Sequence, residues 1–290
     1  LAPISTEGMP TDDKTELKQW PWWKSKKWAL RIINRQFDKF SNLKRLSPDL
    51  KMLATIYRDE FAPQMLNVYA ELLNSVTAGA AVPDRVVNLS VTHLTTAVNT
   101  SFTYKAMEPF LDQMFVNIIF PLVCFTNEDA ELWEDDPHEY VRKTQDFIED
   151  MYSPRTAAIN YICELTKTGK RMKDNLPKVL AHVVSVFTRF QAVPQGTPLD
   201  AKLRAEVDGA LVVIENLHST LEAHPEYKHQ LEQMLMAYVY PAFGSVHGHI
   251  RAKAVSCAAK FSGIEFTDKE NFMRLFYVVV NAMKDRDLPV

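Results

Sequence analysis

The chain has 290 residues, 47% apolar and 24% charged, the composition of a folded protein rather than a disordered one. Glycine is scarce, with 8 residues where average usage is about 7%; this argues against a hairpin-rich all-β chain and against a phosphate-cradling α/β fold. Lysine and arginine total 33 against 36 acids, a net charge of −3, so there is no global attraction to nucleic acid or to an anionic membrane.

Residues 1–19 are polar, with Pro3, Pro10, Asp12 and Asp13, and read as a tail or linker. The first strong helical pattern covers 22–40, where Leu30, Ile33, Phe37 and Phe40 repeat at helical spacing. Its other face is basic, with Lys24, Lys26, Lys27, Arg31 and Arg35. A helix over 50–77 opens on Ser47-Pro48, a cap residue followed by proline in the first turn. Others follow at 84–99 and 104–124. Asp136-Pro137-His138-Glu139 predicts a short helix with a capping box of Asp136 and Glu139. Ser153-Pro154 opens the next helix, 154–168, followed by 171–192, 200–223, 228–243, 249–262 and 268–284. Gly263 is expected as a left-handed cap, and Thr267 with Glu270 as a second capping box. No run alternates strictly enough to be a strand, so the fold class is all-α.

The chain also repeats itself. Gln113-Met114 and Pro121 recur at an offset of 120 residues as Gln233-Met234 and Pro241, each proline preceded by an aromatic residue, and proline stops or bends a helix. The pairs 50–77 with 84–99, 104–124 with 154–168, 171–192 with 200–223 and 228–243 with 249–262 are the units of a HEAT-type, armadillo-like α-solenoid. Residues 20–290 then form about five repeats, cut at both ends, with an acidic loop and short helix inserted at 125–150.

Two segments are candidates for binding. Trp20, Trp22, Trp23, Lys24, Lys27 and Trp28 form an aromatic-basic cluster, four tryptophans in nine residues. It is either a docking or base-stacking surface or a set of indoles buried against a neighbouring helix beneath solvated lysines. The stretch 127–139 holds Glu128, Asp129, Glu131, Glu134, Asp135, Asp136 and Glu139 with no Lys or Arg. Either it contacts a basic partner with Trp133 as anchor, or it is a solvated connector.

A third reading takes Asp135-Asp136-x-x-Glu139 as similar to the aspartate-rich metal motif of all-α isoprenoid synthases. It is disfavoured because Asp136 reads as a cap and no second metal motif follows. His247-Gly248-His249 lacks a third ligand nearby. Cys124, Cys163 and Cys257 are too few and too far apart for a disulfide framework or a zinc site, which suits a reduced intracellular compartment. Nothing implies a catalytic residue, a metal or a cofactor. The sequons at Asn88 and Asn99 read as chance matches. Apolar stretches such as 116–125 are near ten residues, where a membrane span needs about 20.

Several segments together resemble the importin-β superfamily of nuclear transport receptors, in its importin seven/eight branch. They are Trp20-Pro21-Trp22-Trp23-Lys24 through Lys27-Trp28, Phe120-Pro121-Leu122-Val123-Cys124-Phe125-Thr126, and Leu132-Trp133-Glu134-Asp135-Asp136-Pro137-His138-Glu139-Tyr140-Val141-Arg142. Asp208-Gly209-Ala210-Leu211, Ile250-Arg251-Ala252-Lys253-Ala254 and the closing Asp285-Arg286-Asp287-Leu288-Pro289-Val290 also match. The resemblance covers roughly 20–290.

It implies a HEAT-repeat scaffold without enzymatic activity that shuttles between cytoplasm and nucleus. Such a receptor touches Phe-Gly nucleoporins, carries basic cargo such as ribosomal proteins or histones, and answers to Ran GTPase in its GTP form, with no direct nucleic-acid binding and no membrane insertion. It makes Trp133, Asp135, Asp136, Glu139, Tyr140 and Arg142 candidates for partner contact, although Arg142 can equally pin the insert by pairing with a neighbouring carboxylate. A HEAT scaffold of another assembly is the alternative.

Overall fold

The computed structural model describes residues 7–145, 151–167, 169–287 and 290, and among these there is no strand. The chain divides into two compact units, 1–122 with 151–165, and 123–150 with 166–290.

The first unit opens earlier than expected. Asp13 accepts hydrogen bonds from the Thr15 and Glu16 amides at 2.6 and 3.1 Å, which starts α1 (Lys14–Gln19) and buries Leu17. Part of the expected tail is therefore helix, and residues 1–6 of it lie outside the described residues. Pro21 then begins α2 (Pro21–Phe40), which buries Trp23, Leu30 and Phe37. Next come α3 (Pro48–Ile56), a π turn (Tyr57–Phe61) and α4 (Ala62–Thr77), which make one long first helix against which α5 (Asp84–Asn99) returns.

Second helices pack side by side: α5 lies against α2. Between them Asn34 accepts from the Tyr69 hydroxyl at 2.6 Å, lies 3.1 Å from His93 Nδ1, and donates to the Leu89 carbonyl at 2.9 Å. His93 stacks on Tyr69 with ring centroids 4.1 Å apart. Desolvation lowers its pKa to about 3, so it is a neutral core residue.

The chain continues through α6 (Ser101–Met107), α7 (Leu111–Met114), a π turn (Phe115–Ile119) and α8 (Phe120–Val123). The second unit's α9 (Asn127–Asp135) and α10 (Pro137–Gln145) come next, and α11 (Pro154–Thr166) returns to the first unit. The second unit then holds α12 (Gly169–Gln191), α13 (Ala201–Ala223), α14 (Pro225–Lys228), α15 (Leu231–Met234), a π turn (Leu235–Val239), a 3-10 turn (Tyr240–Gly244), α16 (Gly248–Lys260) and α17 (Lys269–Ala282). Here α12 packs on α13, and α13 on α16.

The 120-residue repeat is a backbone repeat. A π turn precedes Pro63, Pro121 and Pro241, in each case ending two residues before the proline. Proline has no amide hydrogen and crowds the carbonyl four residues back, and a widened turn absorbs that conflict without ending the helix. The expected stop or bend is a bulge at Pro121, after which α8 continues, whereas at Pro241 the bulge gives way to the 3-10 turn Tyr240–Gly244 that ends the helix. At the third site the Gln191 side-chain amide donates to the Ala237 carbonyl, the acceptor that Pro241 leaves without an amide partner.

Two cap expectations fail in the second unit. Asp268, not Thr267, caps α17 by accepting from the Glu270 amide at 2.8 Å, because Thr267 is bonded to Glu232 through both its amide and its hydroxyl. Gly263 does not hold a positive φ, and Phe261 closes α16.

The apolar content of 101–135 is higher than expected. One 18-residue window there is apolar enough by composition to cross a membrane, and 44% of it is buried inside the protein. Of the two sequons, Asn88 is buried and bonded to Arg85 and Ser153.

Candidate functional site

The acidic stretch is helix where a loop was expected. Thr126 Oγ1 accepts from the Asp129 amide at 3.1 Å while the Asp129 carboxylate accepts from the Thr126 amide at 2.9 Å. This reciprocal cap starts α9 and sets acids at its positive end. Asp136 ends α9 and caps α10, accepting from the Glu139 amide at 3.0 Å, with Pro137 first in the helix as predicted. Residues 146–150 of the expected insert lie outside the described residues. At helical spacing Glu128, Glu131, Glu134 and Asp135 fall within an arc of about 120°, with Trp133 on the far side. All four carboxylates are exposed.

Trp133 and Tyr140 face inward. Trp133 stands edge-on to Tyr140 at 5.4 Å, and Tyr140 edge-on to Phe125 at 5.7 Å. Phe125 lies flat on His249 at 3.8 Å, and Trp133 is edge-on to His249 at 6.1 Å. Tyr140, Phe125 and His249 are all buried. Below them His249 Nδ1 is 3.5 Å from Asp208, itself 1% exposed.

Two glycines let the cluster close. A Cβ on Gly209 would meet Cys124 Sγ at 2.9 Å, and one on Gly248 would meet Trp133 Cζ2 at 2.7 Å. Arg251, next along α16, donates to Asp285, Asp287 and the Ser245 carbonyl. The motifs around 125, 133–140, 208–209, 248–251 and 285–287 therefore meet at one place in the second unit. Of the closing motif, Leu288 and Pro289 lie outside the described residues.

This sorts the predicted contacts. Trp133 and Tyr140 pack inward and anchor α9. Asp129 and Asp136 are caps. Arg142 makes a two-bond pair with Glu139, at 2.7 and 2.7 Å, which holds the Glu139 carboxyl below its usual range. Asp136 is used as a cap and Glu139 in the pair with Arg142, and among the described residues no group of three His, Cys, Asp or Glu is placed to hold an ion. Glu128, Glu131, Glu134 and Asp135 remain as the outward set.

The aromatic-basic cluster is divided as well. Trp23 is buried, its Nε1 donating to Met9 Sδ at 3.3 Å, and Trp20 is half-buried. Trp22 and Trp28 are 51% and 57% exposed, against the expectation that the indoles bury together. Lys24 is exposed and Lys27 partly so.

Sequence reasoning missed two apolar clefts between consecutive first helices. One, of about 390 Å³, lies in the first unit between α4 and α6–α7 and is lined by Leu66, Ala70, Phe110, Met114 and Ile118. The other, of about 360 Å³, lies in the second unit between α12 and α14–α15 and is lined by Val183, Phe187, Met234, Ala237 and Tyr238. Met114 and Ile118 map onto Met234 and Tyr238 under the 120-residue shift, so the repeat in the sequence was the signal that could have found them.

The family model named Cse1 matches residues 39–202. The chain belongs to the Cse1 family. This Cse1-family chain is 40% identical over 289 residues to an importin beta-like SAD2 homolog of Arabidopsis thaliana, covering 99% of this chain and 27% of that protein. It is 30% identical over 273 residues to a probable importin-7 homolog of Dictyostelium discoideum, covering 93% and 25%, and 29% identical over 289 residues to human importin-8, covering 99% and 26%. These relatives place it on the importin-7 and importin-8 branch, and its class is the HEAT-type α-solenoid expected from the helix pairs. The chain spans about a quarter of the length of these relatives. No solved structure matches it.

Proposed function

We propose that this chain forms part of a nuclear transport receptor, a non-enzymatic scaffold that carries basic proteins between cytoplasm and nucleus under the control of Ran in its GTP form. The observation that carries this reading is the outward face of α9, where Glu128, Glu131, Glu134 and Asp135 stand on a helix fixed from behind by Trp133 and Tyr140. A rigid helix loses little freedom on docking. Its carboxylates draw in a cationic surface over a range of about 8–10 Å at physiological salt, which suits ribosomal proteins or histones. The relatives named importin support the transport role. The two apolar clefts support docking of Phe-Gly nucleoporins, since each has room for an aromatic side chain and its neighbours.

The test is a pull-down from nuclear extract on the immobilised full-length receptor. Basic proteins should be retained, and Ran loaded with GTP should elute them while Ran with GDP does not. Retention indifferent to both would remove the import reading.

A further inference from the structure

The proposed cargo face is acidic, yet in the first unit α2 is strongly basic, with Lys24, Lys26, Lys27, Arg31, Arg35 and Lys39 against Asp38. On α2, Trp28 and Ile32 are 57% and 55% exposed, and Lys24, Arg31 and Arg35 share their arc at helical spacing. The Arg31 guanidinium lies over the Trp28 ring, 4.9 Å from its centroid. On the adjacent α5, Arg85 lies over the ring of Tyr152 at 4.1 Å. Arg85 is held there by a hydrogen bond to Asn88 Oδ1, and Asn88 donates in turn to the Ser153 carbonyl at 2.8 Å.

The two helices that carry these arginines, α2 and α5, pack against each other, and burial first and then the charge of Arg31 lower the Arg85 pKa. Among the described residues neither guanidinium has a carboxylate partner. Each is seated over an aromatic platform, Trp28 for Arg31 and Tyr152 for Arg85.

A guanidinium seated over a ring keeps its N–H edge oriented. That edge matches a carboxylate with two parallel hydrogen bonds. The exposed Trp28 and Ile32 add an apolar contact between the charges. Bases would need open rings for stacking, and here each ring is already covered on one face by an arginine.

We propose that Arg31 and Arg85, with Lys24, Trp28 and Tyr152, form a docking surface for an extended acidic peptide segment of a partner protein that carries an apolar side chain. This partner has the opposite charge to the basic cargo proposed above and uses the other unit, so either reading can fail alone.

The test is fluorescence anisotropy on the full chain with a labelled Glu/Asp-rich peptide containing one Phe, at low and at high salt. The chain should bind it saturably at low salt and more weakly at high salt. R31Q/R85Q should weaken binding by about tenfold or more. R31K/R85K keeps both charges but loses the planar forks, and should fall between. R189Q, whose arginine already pairs with Glu206, should bind as the parent does. Thermal melts check folding, and if R31Q/R85Q unfolds the lysine variant decides. No saturable binding, a lysine or glutamine variant indistinguishable from R189Q, or tighter binding of a labelled single-stranded oligonucleotide of equal charge would each overturn the proposal.

Discussion

Arg251 grips Asp285 through two hydrogen bonds, Nε to Oδ2 at 2.7 Å and Nη2 to Oδ1 at 2.6 Å. Further bonds run to Asp287 at 2.6 Å and to the Ser245 carbonyl at 2.9 Å. The two partner side chains are 8% and 15% exposed, so removing one strands the other in poor solvent. R251M should cost about 3 kcal/mol in urea unfolding, and R251K less, since it keeps the charge and loses the fork. The pair holds the Asp285 carboxyl below its usual range. Its stabilisation is therefore complete above the ordinary aspartate pKa and lost as pH falls through the depressed one. R251M should remove that part of the acid dependence.

Gly209 sits mid-helix, where alanine would ordinarily be favoured by about 1 kcal/mol. At this position the added methyl would meet Cys124 Sγ at 2.9 Å and the Cys124 backbone, at its α-carbon, at 3.2 Å. Overpacking against backbone costs about 1–3 kcal/mol, so it outweighs the helix gain. G209A should lower the melting temperature, and adding C124A should recover only part of the loss, because the clash with the backbone of residue 124 remains.

These two sites show what the sequence could and could not say. Helix periodicity and the prolines at 121 and 241 are local signals, and the all-α class and the repeat were legible from them. The π turns were not, since their cause is a conflict between proline and a carbonyl that a residue pattern does not display. Thr267 looked like a cap because its local spacing is right; Glu232, 35 residues earlier, takes it instead. The inward packing of Trp133 was hidden for a similar reason, because its neighbour His249 is far along the chain. The motifs at 208–211, 250–254 and 285–290 were visible as separate stretches, but the meeting of Asp208, Arg251 and Asp287 near Trp133 depends on how α9, α13 and α16 pack.

The Glu232 carboxylate ties α15 to the start of α17. It accepts from the Thr267 amide and hydroxyl at 2.7 Å each, from Asn271 at 2.8 Å and from the Asp268 amide at 3.2 Å. These bonds, the Thr267 hydroxyl first, lower its pKa to about 2 from 4.5. The folded pKa is the lower one, so the stabilisation is present above pH 4.5 and is lost between there and about pH 2. E232Q should cost about 1–2 kcal/mol at neutral pH and flatten the acid limb in that window. Amide exchange should speed up selectively in the first turn of α17.

The two sides of α9 can be separated by substitution. E131Q/E134Q/D135N removes exposed charge and touches no anchor, so its stability should stay within about 0.5 kcal/mol of the parent. Its affinity for a basic protein should fall at low salt and converge with the parent at high salt. W133A removes the ring that meets Tyr140 and His249. It should cost about 3 kcal/mol and weaken the same binding at every salt concentration, because α9 is then no longer held in place. Calorimetry and binding titrations of both variants check this. Equal salt dependence in the two would mean that Trp133 acts through charge placement alone, and unchanged affinity in the triple variant would make α9 a connector.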